Sequence, residues 1–333
     1  MSRSLFFGYR HPRDTDCGEK RGFLSRVDES MSTSQYGLIS ARLESLRTGG
    51  GHIVDQLIAE RTQSISRHPL WPLLRPLLVR FLHYRQAVEM ADEIARLDGW
   101  RAMEFISRLL SLDLTLKGLE NIPATGGFIL APNHPTGIAD GIALFDMLKP
   151  VRRDIAIFAN RDALRVSPGF RDIIIPVEWR AGAKTHGKSR DTLETTARAF
   201  ADNKAIVLFA SGRVAYWNEG RLTERPWQGS VVSLARRYGF PVVPTHIAAR
   251  NSGLFYFLSK HSSEIRDMTL FHELLNKKGQ KFAITVGRPI PPDHLEGDPA
   301  EVAAALQQHT ALRMAHEPRA EFVPLSPRLP DAA

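Results

Sequence analysis

Between residues 112 and 286 the chain alternates short apolar, β-branched runs with stretches of helical periodicity, and this alternation limits the fold more than any other feature. The runs at 112–116, 128–131, 154–158, 173–177, 205–210, 242–247 and 282–286 predict strands. Helical periodicity lies between them at 140–148, 191–201 and 229–238, with Gly239 placed to stop the third helix, and after them at 301–314. The expected fold class is α/β: a largely parallel mixed sheet of about seven strands flanked by helices, with an N-terminal helical segment. Ligand sites in such sheets lie in the loops leaving the strand carboxyl ends.

The expected organisation is a disordered tail over 1–36, a helical and membrane-interfacial segment over 37–110, the α/β domain over 111–316 and a loose Pro-rich tail over 317–333. Within the second segment, Gly49-Gly50-Gly51 reads as a flexible joint, and Ile53, Leu57 and Ile58 mark a short amphipathic helix. Residues 68–85 set Leu70, Leu74, Leu77, Leu78 and Phe81 beside Arg75, Arg80 and Arg85. That pattern suits a lipid interface, and equally a helix packed on the protein's own core. No apolar run reaches the roughly 18–20 residues of a spanning helix. The single cysteine, Cys17, excludes an internal disulfide and a cysteine-held zinc site, which fits a reducing compartment. A net charge of +8 favours anionic company, whether phosphate, nucleic acid or a membrane face.

Two stretches carry chemistry. Gly182-Ala-Lys-Thr-His-Gly187-Lys188-Ser189 satisfies the phosphate-loop pattern. A nucleotide-hydrolysing site also requires a strand ending in an Mg²⁺-holding Asp, whereas the run at 205–210 leads into Ser211. Residues 178–181 further separate the glycine from its strand, so a basic surface loop, with Lys188 a solvated charge, is the expected reading. The second stretch, Asn133-His134-Pro-Thr136-Gly137-Ile-Ala-Asp140, leaves a strand and runs into a helix. A histidine there, with a carboxylate one or two turns on, can act as a base with its orienting partner. A structural histidine and a helix-capping Asp140 are the alternative.

The region from about 112 to 290 resembles the glycerophospholipid acyltransferase family, in the 1-acylglycerol-3-phosphate acyltransferase-like group with a His-Pro-Thr-Gly motif. The resemblance rests on four ordered blocks: Asn133-His134 with Asp140; Ile157-Phe-Ala-Asn-Arg161; Leu208-Phe-Ala-Ser211-Gly212-Arg213; and Gly239-Phe-Pro-Val-Val-Pro244. There are two departures. Five residues rather than the usual four separate His134 from Asp140, and Ser211 stands where the third block usually has glutamate.

The resemblance implies transfer of a fatty acyl chain from acyl-CoA or acyl carrier protein to a lysophospholipid hydroxyl, with lysophosphatidic acid the first choice of acceptor. Glycerol 3-phosphate and a lyso-aminolipid are the alternatives, and a non-catalytic membrane-binding relative is a third. His134 would be the base and Asp140 its orienting partner. Arg161, Gly212 and Arg213 would hold an acceptor phosphate, and Asn133, Thr136, Gly137 and Ser211 would line the pocket. Neither a metal nor a cofactor is expected beyond the acyl donor. The expected partners are an anionic membrane surface, the acceptor and the donor, without nucleic acid, at the cytoplasmic inner face of a membrane. A covalent route is disfavoured, because no Gly-x-Ser-x-Gly elbow is present and Ser211 lacks the preceding glycine.

Overall fold

A computed structural model describes residues 51–62, 83–178 and 185–325. The tail at 1–36, Cys17, Gly49 and Gly50, most of the 68–85 segment and the first residues of the Gly182–Ser189 stretch lie outside the described residues. Helices α1 (Ile53–Arg61), α2 (Tyr84–Ile94) and α3 (Gly99–Leu110) precede strand β1 (Asp113–Lys117) and strand β2 (Phe128–Pro132). Next come α4 (Ile138–Leu148), β3 (Ile155–Asn160), α5 (Asp162–Val166), β4 (Ile174–Val177), α6 (His186–Ala201) and β5 (Ala205–Val207). A small hairpin, β6 (Tyr216–Asn218) and β7 (Arg221–Thr223), leads to α7 (Ser230–Tyr238) and β8 (Val242–Ala248). Three helices, α8 (Gly253–His261), α9 (Ser263–Met268) and α10 (Leu270–Leu275), connect to β9 (Lys281–Val286), and α11 (Pro299–Gln307) follows.

The seven expected strands form one sheet in the order β1-β9-β8-β2-β5-β3-β4. All neighbouring pairs are parallel except β8 with β9. β2 is central and buried along its whole length, and its side chains divide between two layers. Phe128 and Leu130 pack with the inner faces of α2, α3 and α4, while Ile129 and Ala131 pack with α6, α7 and α11. α3 shows why the second layer forms. Asp98 caps its first turn by accepting from the Arg101 N–H at 2.8 Å, and Ala102, Met103, Ile106 and Leu110 recur on one buried stripe. Helices α2 and α3 are therefore part of the sheet's own core.

The hairpin and helices α8–α10 were not expected. The hairpin turns through Glu219 and Gly220 at φ +47° and +77°, a turn with both central residues left-handed that lacks the usual Asn-Gly signature. The helix expected at 301–314 ends at Gln307 and continues through one π-helical stretch, Gln308–Arg313. α6 begins at His186 rather than 191, because Thr185 caps it by accepting from the Lys188 N–H.

Candidate active site

His134 lies two residues beyond β2, at the carboxyl edge of the central strand. Asn133 fixes the exit of that strand by pairing with its neighbour as a backbone amide would. Its Nδ2 donates to the Ile247 carbonyl at 3.0 Å, and its Oδ1 accepts from the Ile247 N–H at 2.6 Å. Pro135 then removes one backbone donor and holds His134 out of the helical region. The loop closes around Asp140, which is fully buried. Oδ2 of Asp140 accepts from His134 Nδ1 at 2.9 Å, from Thr136 N–H at 2.8 Å and from Gly137 N–H at 3.0 Å, while Oδ1 accepts from the Thr136 hydroxyl at 2.5 Å. Three other donors converge on this carboxylate, so Nδ1 is assigned as the donor to it, which in a neutral imidazole leaves the lone pair on Nε2. Nε2 has no partner among the described residues. The turn between histidine and aspartate passes through Gly137, whose φ of +92° and ψ of −124° suit glycine alone, and whose Cβ would lie 3.1 Å from Val214.

The loop leaving β5 packs against this turn. The Phe209 ring lies 4.0 Å from the imidazole centroid, and the Ala215 N–H donates to the His134 carbonyl at 2.8 Å. Glu224, which follows β7, was missed from the sequence. One of its carboxylate oxygens accepts the His134 backbone N–H, and the other accepts the Trp227 indole N–H at 2.9 Å. Burial pushes its carboxyl above the ordinary range, with the nearby Asp140 charge adding to the rise. The one available sequence signal was the glutamate missing at position 211, a reason to look for a carboxylate elsewhere. The hydroxyl of Tyr256 on α8 accepts from the Asn251 N–H at 2.9 Å. Burial, helped by the charges of Glu273 and Asp140, holds its phenol above the usual value.

The remaining candidates are placed as follows. Thr136, Gly137 and Asp140 are gathered with His134. Ser211 is buried and donates its hydroxyl to the Arg213 carbonyl at 2.9 Å, shaping the loop. Gly212 sits at φ +62° and spends its N–H on the Phe209 carbonyl at 2.9 Å. Arg213 is exposed, with no side-chain partner among the described residues. Arg161, at the end of β3, turns to α6 instead: it pairs with Asp191 at 2.5 Å and donates to the Lys188 carbonyl at 2.9 Å. Lys188 is a correction. It lies in the first turn of α6, not in a solvated loop, and its ammonium meets the buried Glu178 at 3.0 Å. Among the described residues no group of three or more His, Cys, Asp and Glu side chains is placed to hold a metal ion. No helix among them is long and apolar enough to cross a membrane.

A base with a free Nε2 and a buried orienting carboxylate, at the carboxyl edge of this sheet, can draw a proton from a hydroxyl. Residues 113–248, which hold that dyad, match the family profile described as Acyltransferase. The lyso-glycine lipid O-acyltransferase of Phocaeicola vulgatus is 30% identical over 196 residues, covering 57% of this chain and 68% of that protein. Its counterpart in Bacteroides thetaiotaomicron is 25% identical over 195 residues, covering 57% and 70%. The crystal structure of the 1-acyl-sn-glycerophosphate (LPA) acyltransferase PlsC from Thermotoga maritima aligns with a TM-score of 0.45 at 16% identity, over 74% of this chain and 96% of that one. The family profile and the two curated relatives define the class, an O-acyltransferase of lipid metabolism. The chain belongs to the glycerophospholipid acyltransferase family.

Proposed function

We propose that the protein transfers a fatty acyl chain from a thioester donor, acyl-CoA or acyl carrier protein, to the hydroxyl of a single-chain polar lipid with an anionic head. The observation that carries this reading is the His134–Asp140 pair at 2.9 Å. His134 Nε2 takes the acceptor hydroxyl proton as its oxygen attacks the thioester carbonyl, and Asp140 stabilises the resulting imidazolium. The tetrahedral intermediate collapses with loss of the thiolate, which takes up the proton. The favoured acceptor is a lyso-aminolipid. Both curated relatives act on a lyso-glycine lipid, and Arg161, one of two cations expected to hold a phosphate, is instead paired with Asp191. The unpaired Arg213 keeps lysophosphatidic acid as the second reading.

Peripheral attachment to an anionic membrane belongs to the same proposal. It is supported by the charge of +8 and by exposed apolar side chains at Ile138, the first residue of α4, at Trp217 on the hairpin and at Phe257 on α8. The test is incubation of purified protein with labelled acyl-CoA or acyl carrier protein and a panel of lyso-glycine lipid, lysophosphatidic acid and glycerol 3-phosphate, with products resolved by mass. A diacyl aminolipid as the main product is expected. Exclusive acylation of the phosphate acceptors would reverse the order of the two readings, and no product from any pair would overturn both.

A further inference from the structure

The loop that carries the base has few backbone donors, and each has a destination. Asn133 N–H donates to the Thr245 carbonyl at 3.3 Å, Thr136 and Gly137 N–H donate to Asp140, and Pro135 has none. That leaves the His134 N–H, and the group that accepts it is the Glu224 carboxylate, brought from ninety residues away. The His134 carbonyl is held on its other side by Ala215. The peptide units flanking the base are thus clamped between the β5 loop and the segment after β7, while Asp140 fixes the ring.

The Glu224 segment is itself well anchored. Gln307 of α11 accepts from the Trp227 N–H at 3.2 Å and donates to the Arg225 carbonyl at 2.9 Å, and the Gln228 N–H donates to the Ala210 carbonyl at 2.9 Å. Its carboxylate takes one N–H donor on each oxygen, from His134 and from Trp227. Only a carboxylate does this, since a glutamine in its place offers one accepting oxygen and sets an NH₂ against the other donor.

We propose that Glu224 is a positioning residue of the acyl-transfer centre, holding the His134 backbone so that Nε2 meets the acceptor hydroxyl while Nδ1 stays on Asp140. This rests on the reading of His134 as the base. Displacement of a catalytic group by about 1 Å costs roughly 10²-fold in rate, so Glu224→Gln is expected to lower kcat by about that factor, with the KM of donor and acceptor within about two-fold of wild type. Glu224→Asp, which keeps both oxygens but reaches less far, should retain an intermediate kcat. Gln307→Ala loosens the same segment but keeps the Glu224 carboxylate, and should lower kcat less than Glu224→Gln does.

All three variants, with His134→Ala, are to be assayed beside thermal melts. A folded Glu224→Gln enzyme with wild-type kcat overturns the proposal, as does a Gln307→Ala enzyme that loses more kcat than Glu224→Gln. Failure of both Glu224 variants to fold would assign the residue to the scaffold and overturn it too. If His134→Ala is inactive beside a fully active Glu224→Gln, the positioning role alone falls. If His134→Ala turns over normally, the base assignment falls with it.

Discussion

Asp140 shows how much one side chain does in this site. It takes two backbone donors, a hydroxyl and the imidazole, so it shapes the first turn of α4 and orients the His134 ring together. His134→Ala should lower turnover roughly 10²- to 10⁴-fold while the melting temperature stays near wild type, measured under conditions where chemistry limits the rate. Asp140→Asn is a different case. Its NH₂ faces donors that a carboxylate accepted, so a loss of about 1–3 kcal/mol in stability should accompany the loss of rate. Unchanged denaturant midpoints for Asp140→Asn would contradict that network. At Arg213 the expected effect is on one substrate only. Arg213→Ala should raise the KM for an anionic acceptor and leave that of the acyl donor, and an equal rise for both would remove it from acceptor recognition.

At the scale of elements, one ion pair ties a helix to a strand end and a second closes the end of a helix. Lys188 in α6 meets Glu178 just beyond β4, and its removal should lower stability by about 1 kcal/mol, a modest figure because the ammonium is partly solvated. Acyl transfer at saturating substrate should be little affected. Lys277 and Glu273 form the more buried pair, at 3.0 Å, where α10 ends. Burial alone would push the Glu273 carboxyl up, but the Ser252 hydroxyl and N–H and the Lys277 ammonium outweigh it and hold the group below its ordinary value. A depressed carboxylate contributes stability that is present above its unfolded pKa and is lost as pH falls through the folded value. Glu273→Gln should therefore cost roughly 3 kcal/mol near neutrality, because it leaves a buried ammonium, and the gap from wild type should narrow in acid. Parallel melts across pH check this; a gap that widens toward acid would contradict it.

At the scale of the whole molecule, the +8 charge should bring the protein onto anionic vesicles, with salt weakening the electrostatic part over a Debye length of about 8 Å at physiological ionic strength. Neutral vesicles should bind less. Replacing Arg75, Arg80 and Arg85 together with Gln should reduce the anionic binding, and unchanged co-sedimentation of that variant would show that the segment serves the protein's own core.

Strand positions, the α/β class and the His134–Asp140 pair were legible in the sequence, because each depends on local pattern. A buried strand is a short apolar run, and the histidine and its carboxylate lie only six residues apart along the chain. The hairpin at 216–223 escaped because its left-handed turn uses Glu219-Gly220, and the Lys188 stretch resembled a phosphate loop because a pattern does not record which carboxylate its lysine will meet. Glu224 and Arg161 were decided only by the tertiary structure. Sheet order brings the segment after β7 behind His134 and turns the end of β3 toward α6, and whether a carboxylate or a guanidinium is spent on structure or left for a ligand depends on those neighbours, distant in sequence.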